Sequence, residues 1–351
     1  MEDFVLTLQP LAEGHLVQAE CPLVGQVTGS ISLRDRQELE ALGARLQTNP
    51  LREIPQVVEV GQQLFRNLFG TKIATHFRTA QQEARDDGGL RVLLRFSKDD
   101  RLQDLPWELL HDGSWPLALN PATPIARYIE MSEPVRRLLP RGQLRVLFTA
   151  ASPPGTQELD LGTEERKIRE YLRSLANVDL EIDNQITLRR LERLLTFAEN
   201  AGRPFHIWHH AGHGFRDKHS KFFLCLEGDE QDRNVGVEKI SQILATCPNL
   251  LAVVLNVCHG AALATALACE HLPVAIGFRE QILDRAALLF AQKFYGSLLR
   301  HPVEVALAHS RLALAYQGCP LLNWTNPLLY TRTTRAVHFM EGRDGRPRGR
   351  V

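Results

Sequence analysis

From residue 141 onward, short apolar runs alternate with amphipathic stretches. Apolar runs at 144–150, 178–183, 204–211, 221–227, 250–257 and 273–278 predict strands. Recurrence near 3.6 residues at 163–176, 187–200, 237–246, 260–271, 284–300 and 303–317 predicts helices. In one of these helices Leu188, Leu191, Leu194, Leu195 and Ala198 form an apolar face, with Thr187 placed to cap it. The run LLAVVLNV is apolar at almost every position, which suits a strand covered on both faces of a mainly parallel sheet. Alternation of this kind predicts an α/β layer whose ligands bind at the carboxyl ends of its strands.

The chain before residue 141 reads differently. Helical spacing is present at 32–47 and 56–84, the second marked by Val58, Leu64, Phe65, Leu68 and Phe69. Asp86-Asp87-Gly88-Gly89 breaks the chain ahead of a predicted strand at 90–96, and PIARYIE predicts another. A Pro- and Arg-rich stretch at 132–143 is the expected linker. The organisation expected is therefore an N-terminal α/β region at 1–140, a larger α/β domain at 141–340, and a disordered basic tail at 341–351. No repeat of solenoid type is visible.

Composition narrows the class. The 44% hydrophobic content supports a large core, and equal numbers of basic and acidic residues, 41 of each, argue against a dedicated nucleic-acid or acidic-membrane binder. The N-terminus lacks a signal-peptide pattern and no apolar run reaches membrane-spanning length, so a cytoplasmic location is expected. The cysteines at 21, 225, 247, 258, 269 and 319 include no C-x-x-C pair, which points to free thiols.

Two segments carry candidate chemistry. The predicted strand at 204–211 runs into Gly212-His213-Gly214, where the flanking glycines permit close backbone approach. The buried run ending in LNVCHGA passes directly into a helix, so Cys258 stands at a strand end and near a helix N-terminus. Such a place favours a thiolate and offers N–H groups to an oxyanion. Taken alone, a cysteine there is ordinarily a small buried residue. The pair is more telling: both stand at strand ends, 45 positions apart and in the order His then Cys. In caspases the histidine lies roughly 50 residues upstream of the nucleophile. A protonated thiol attacks poorly, and a neighbouring imidazole supplies the missing base.

His206, His209, His210 and His213 form a dense cluster, but it lacks acids and an H-E-x-x-H arrangement, so no metal is expected. His259 either contacts substrate or starts the helix.

With these segments in view, the chain resembles the CHAT family of caspase-like peptidases. His209 to Gly214 looks like that family's HxAGHG motif, and Asn256 to Gly260 looks like its cysteine segment. Asp284, Ala286, Phe290, Phe294 and Tyr295 are similar to its D-x-A helix. Trp324, Pro327 and Tyr330 match its closing motif, and Leu105 to Leu110 resembles the PWELL motif that precedes the catalytic core. The resemblance implies a caspase–haemoglobinase fold: a mainly parallel central sheet flanked by helices in a peptidase domain at 141–340, preceded here by a smaller regulatory or pseudo-caspase-like α/β region at 1–140. It implies a cysteine endopeptidase with His213 as base and acid, Cys258 as nucleophile, Gly214 and Cys258 N–H groups as oxyanion hole, and His209 in support. No cofactor is implied. Partners implied are protein substrates, such as gasdermins or other effectors in bacterial immunity or cell death, and a regulatory protein or activating protease. No nucleic acid or membrane is involved.

Two departures qualify this. The TPR repeats of many relatives are absent from the sequence. Metacaspase relatives carry an acid two positions before the cysteine, where this chain has neutral Asn256; Asp284 or Glu280 on a neighbouring loop would then supply charge to a substrate pocket. A non-catalytic or ligand-gated module retaining the fold is the alternative, with Arg127, Arg136 and Arg137 as candidate phosphate ligands.

Overall fold

The computed structural model describes residues 1–49, 51–97, 100–130, 143–154, 156, 161–175, 177–219, 221–229, 233–270, 272–280, 284–317 and 322–339. Nearly all of the expected linker (132–142), the basic tail, Cys319, Arg136 and Arg137 lie outside the described residues. The chain divides into two compact units, one of residues 1–130 with 307–336 and one of 131–306 with 337–351.

The first unit opens with a meander that the hydrophobic pattern did not announce. Strands β1 (Glu2–Leu11), β2 (Gly14–Cys21) and β3 (Gly25–Ser32) pair antiparallel in sequence. Helices α1 (Leu33–Thr48) and α2 (Ile54–Glu83) follow, the first capped by Ser32, whose hydroxyl accepts from the Asp35 N–H. Strands β4 (Leu90–Phe96) and β5 (Ile125–Tyr128) then extend the sheet in parallel beyond β1. Phe4, Leu6 and Leu8 alternate onto the buried face, where Phe4 meets Phe69 and Phe77 of α2. Asp3 and Arg91 are directly paired across β1 and β4, and their side chains form two parallel hydrogen bonds of 2.8 Å.

The PWELL segment is structural. Trp107 is wholly buried and its Nε1–H donates to the Leu102 carbonyl at 2.7 Å. Glu108, also buried, receives the Arg127 guanidinium at 3.2 and 3.0 Å, and Arg127 donates further to the carbonyls of Gln103 and Leu105. This corrects the view of Arg127 as a phosphate ligand: its donors are spent inside the fold.

The second unit is the expected doubly wound layer. Its strands are β6 (Leu144–Ala150), β7 (Val178–Asp183), β8 (Ile207–Ala211), a hairpin pair β9 (His213–Arg216) and β10 (Phe222–Cys225), β11 (Asn234–Gly236), β12 (Ala252–Asn256) and β13 (Val274–Phe278). In the central sheet the order is β13-β12-β8-β6-β7, parallel throughout, while β11-β10-β9 form a separate small sheet. Helices α3 (Leu161–Ser174) and α7 (Asp284–Leu298) pack together. Helices α4 (Leu188–Asn200), α5 (Val237–Ala245) and α6 (Gly260–Glu270) pack in series. Thr187 caps α4 as expected, accepting from the Arg190 N–H. Helix α8 (Val303–Tyr316) leads to β14 (Pro327–Thr331), which pairs in parallel with β5 in the first unit. No described helix is long and apolar enough to cross a membrane.

Replacing Glu108 with Ala leaves a guanidinium buried without its carboxylate. A loss of about 3–5 kcal/mol is expected, measurable as a lower urea midpoint for the unfolding of the first unit.

Candidate active site

The site begins with backbone register. Ala150, Ala211 and Asn256 end β6, β8 and β12, and each is aligned with its neighbour across the sheet. Pairing continues one residue further. The Ala151 N–H donates to the Ala211 carbonyl at 3.1 Å, and the Gly212 N–H donates to the Asn256 carbonyl at 3.3 Å. His213 and Cys258 each lie two residues past the aligned Ala211–Asn256 pair, beyond the ends of β8 and β12, which neighbour one another at about 4.8 Å. Both side chains are half-exposed at this end of the sheet.

Contact between the two segments is direct. A Cβ built on Gly214 would stand 2.4 Å from the Cys258 carbonyl oxygen and 3.2 Å from the Val257 side chain. Only glycine fits there. The hairpin also sets the direction of Gly214's own amide. Asp217 donates to the Lys221 carbonyl in the β9–β10 ladder, and Leu226 donates to the Arg233 carbonyl in the β10–β11 ladder. Antiparallel bonding alternates, so Leu224, which faces Gly214 in register, bonds towards β11. The Gly214 N–H therefore points away from β10. Phe215 and Phe223, in the bonded pair beside it, stack at 5.1 Å and stiffen the hairpin.

Cys258 sits in a tight turn from β12 into α6. The Gly260 N–H donates to the Val257 carbonyl at 3.0 Å, placing Cys258 and His259 at the corner. His259 has φ 58°, the one positive φ at a non-glycine position among the described residues. Such a conformation costs of order 1–3 kcal/mol and recurs at functional sites. The His259 carbonyl accepts from the N–H groups of Ala262 and Leu263, so this residue starts the helix, with its side chain exposed. The corner is tight because glycines line it. A Cβ on Gly260 would lie 2.6 Å from the Leu255 oxygen, and one on Gly277 would lie 2.1 Å from the Gly260 oxygen.

The other histidines of the cluster are engaged separately. His206 Nδ1 accepts from the Arg145 N–H at 3.0 Å, and burial beside that guanidinium lowers its pKa to about 4. His209 shares a 3.0 Å hydrogen bond with the Tyr295 hydroxyl on α7 and lies against Phe148; burial lowers its pKa to about 3. His210, on the opposite face of β8, is fully buried with Nδ1 2.9 Å from the Thr149 hydroxyl. Burial, with a smaller contribution from His213, lowers its pKa to about 3. No three side chains of His, Cys, Asp or Glu converge as metal ligands among the described residues.

Placement of the remaining expected residues is mixed. Asn256 is buried, and its backbone carbonyl holds Gly212. Glu280 is exposed just after β13, and the Asp284 side chain lies outside the described residues. Sequence reading passed over Thr149 and weighed His210 only as a member of a metal-like cluster, because no periodicity marks a hydrogen bond between residues 61 positions apart.

The fold resembles that of caspase-like α/β proteins. The chain is similar to Saccharomyces cerevisiae separase, solved in complex with securin, with a TM-score of 0.51 and 11% identity over 94% of this chain and 30% of that one. It spans about 30% of the separase chain. The Drosophila initiator caspase Dronc aligns with a TM-score of 0.40 and 11% identity, over 60% of this chain and 97% of that one. No curated protein matches the sequence. Residues 58–332 match the CHAT domain, and the chain belongs to the CHAT-domain family.

Two outcomes test this geometry. Gly214→Ala should leave the melting temperature of the sheet nearly intact while abolishing any Cys258-dependent activity, since its Cβ forces the hairpin off the Cys258 carbonyl. Acid should weaken the second unit. His206, His209 and His210 stay neutral when folded, whereas an unfolded imidazole takes up a proton near pH 6.5. Stability is full above that pH and falls as the pH drops towards 3–4, by about 1.4 kcal/mol per unit for each histidine. Urea titrations at stepped pH measure the slope.

Proposed function

We propose that this chain is a cysteine endopeptidase whose working pair is His213 and Cys258. The observation that carries the reading is the contact of the Gly214 backbone with the Cys258 carbonyl, which joins the histidine hairpin to the cysteine turn. In this mechanism the His213 imidazole takes the Cys258 thiol proton and the thiolate attacks the scissile carbonyl carbon. Negative charge moves to the carbonyl oxygen, received by the N–H groups of Gly214 and Cys258. That the Gly214 amide points away from β10 supports its part in this. The intermediate collapses to a thioester as His213 passes its proton to the leaving amine. Water, deprotonated by the same imidazole, then releases the acid product and restores the thiol.

Selected proteins are the substrates on this reading, in a setting of bacterial immunity or regulated cell death, with gasdermin-like or other effectors as targets. A separate partner or an activating protease switches the enzyme on. His209, tied to Tyr295, supports the strand that leads into His213. Neutral Asn256 speaks against strict selection of basic side chains at the cleavage point. The acids assigned to the substrate pocket are Asp284 and Glu280, the latter exposed just after β13.

A proteome-wide comparison of cleavage products from the native chain and Cys258→Ala, with products of neighbouring genes included, tests all of this. Cuts made by the native chain should fall about a thousandfold or more in Cys258→Ala and in His213→Ala. A peptide library varied at the cleavage-site residue should show no exclusive preference for Arg or Lys. A native chain that cuts nothing, with or without partners, overturns the peptidase reading in favour of a binding module.

A further inference from the structure

His210 is the least explained group near the site. It lies on the same face of β8 as Gly212, and a Cβ built on Gly212 would stand 3.0 Å from its Nε2 and 2.9 Å from the Ala151 carbonyl oxygen. The ring is therefore seated directly beneath the residue that precedes His213. It has no solvent exposure, and Nε2 has no hydrogen-bond partner among the described residues. A buried polar atom left open beside a reactive segment calls for an explanation.

The opposite edge of the ring is fixed by a relay. Trp208 Nε1–H, which can only donate, gives its proton to Thr149 Oγ1 at 2.8 Å. Thr149 is itself buried, so its own hydroxyl proton needs an acceptor, and His210 Nδ1 lies 2.9 Å away. With the hydroxyl donating to Nδ1, the ring proton must sit on Nε2. The relay thus holds a neutral donor pointed at the Gly212–His213 segment. Neutrality matters here, because a second charged imidazole would repel the imidazolium that His213 becomes during turnover.

We propose that His210 is a positioning residue for His213: its ring, fixed by Thr149 and seated under Gly212, sets the path of the segment that carries the catalytic imidazole, with Nε2–H left available to that segment's main chain during turnover. This rests on reading His213 and Cys258 as the dyad. Thr149 and Trp208 then act through His210 by fixing its tautomer. The geometry distinguishes two amide replacements. Gln at position 210 can place an N–H near the site of Nε2, whereas Asn reaches only the site of Nδ1.

The test uses the full chain and needs no substrate: the rate of Cys258 alkylation by iodoacetamide, followed across pH and read by mass at that residue, alongside thermal melts. The native chain should alkylate at Cys258 faster than an ordinary cysteine and faster than His213→Ala at the same pH, because His213 is placed to take up the thiol proton. His210→Gln should stay within about twofold of native, and His210→Asn should be slower by about tenfold at the same pH, as expected when a reacting group is misplaced. Thr149→Val should slow alkylation like His210→Asn, and Thr149→Ser should restore it. A folded His210→Asn that matches the native profile overturns the inference while leaving the dyad standing. Should His210→Asn fail to fold, the Thr149→Val and Thr149→Ser pair decides: equal rates overturn it. A native Cys258 that reacts as an ordinary thiol overturns the dyad reading, and this inference with it.

Discussion

Everything at this site hangs on one main-chain contact, the Gly212 N–H to the Asn256 carbonyl. It carries the pairing of β8 and β12 past the point where both strands would otherwise part. Parallel strands deliver their carboxyl ends to one edge of a sheet, but the chain beyond those ends is free to diverge. Here the extra bond keeps the next residues of each chain side by side. Four glycines make the approach possible. At positions 212, 214, 260 and 277 any Cβ would fall within 3 Å of a backbone oxygen. The histidine and cysteine segments come side by side because the chain beside each of them has no side chain to hold them apart.

The cost of the arrangement is visible in β8. A central strand covered on both faces is normally apolar, yet this one carries adjacent buried imidazoles. Each has a partner on its own face: His209 in Tyr295 on α7, His210 in Thr149 on β6. Alternation of side chains keeps the two rings on opposite faces, so neither competes for the other's partner. Burial holds both neutral, which spares the core two unpaired charges. The chain can then continue past the strand to a third histidine whose exposure differs from theirs.

Much of this was legible in the sequence, and the reasons for the gaps are physical. The second unit announced itself because a strand buried on both faces leaves an unbroken apolar run, as in 250–255, and because amphipathic helices separate such runs. Strands β1 to β3 escaped notice since polar residues interleave them: Thr7 and Gln9 in the first, Gln18 and Glu20 in the second, and mostly small polar residues in the third. Their alternation is real, with Phe4, Leu6, Leu8, Val17 and Ala19 buried, but it is a half-buried pattern set among breaks. Strand β9 was hidden by the glycines that make it useful. Of the site, His213 and Cys258 could be picked out by position and order. Thr149 and His210 could not, because their link is a sheet register rather than a spacing.

The turn at Cys258 shows how the two demands on this corner were reconciled. A four-residue turn with positive φ at its third position is suited to glycine or asparagine, and His259 stands there instead. Glycine already occupies the next position, where a Cβ would strike the Leu255 oxygen. Conformational freedom at both positions would let the corner relax away from Gly214. With a side chain at 259 the turn has fewer alternatives, and the helix that begins at its carbonyl holds it in place. The strained residue is fixed between a β-strand and a helix, and Cys258 is fixed with it.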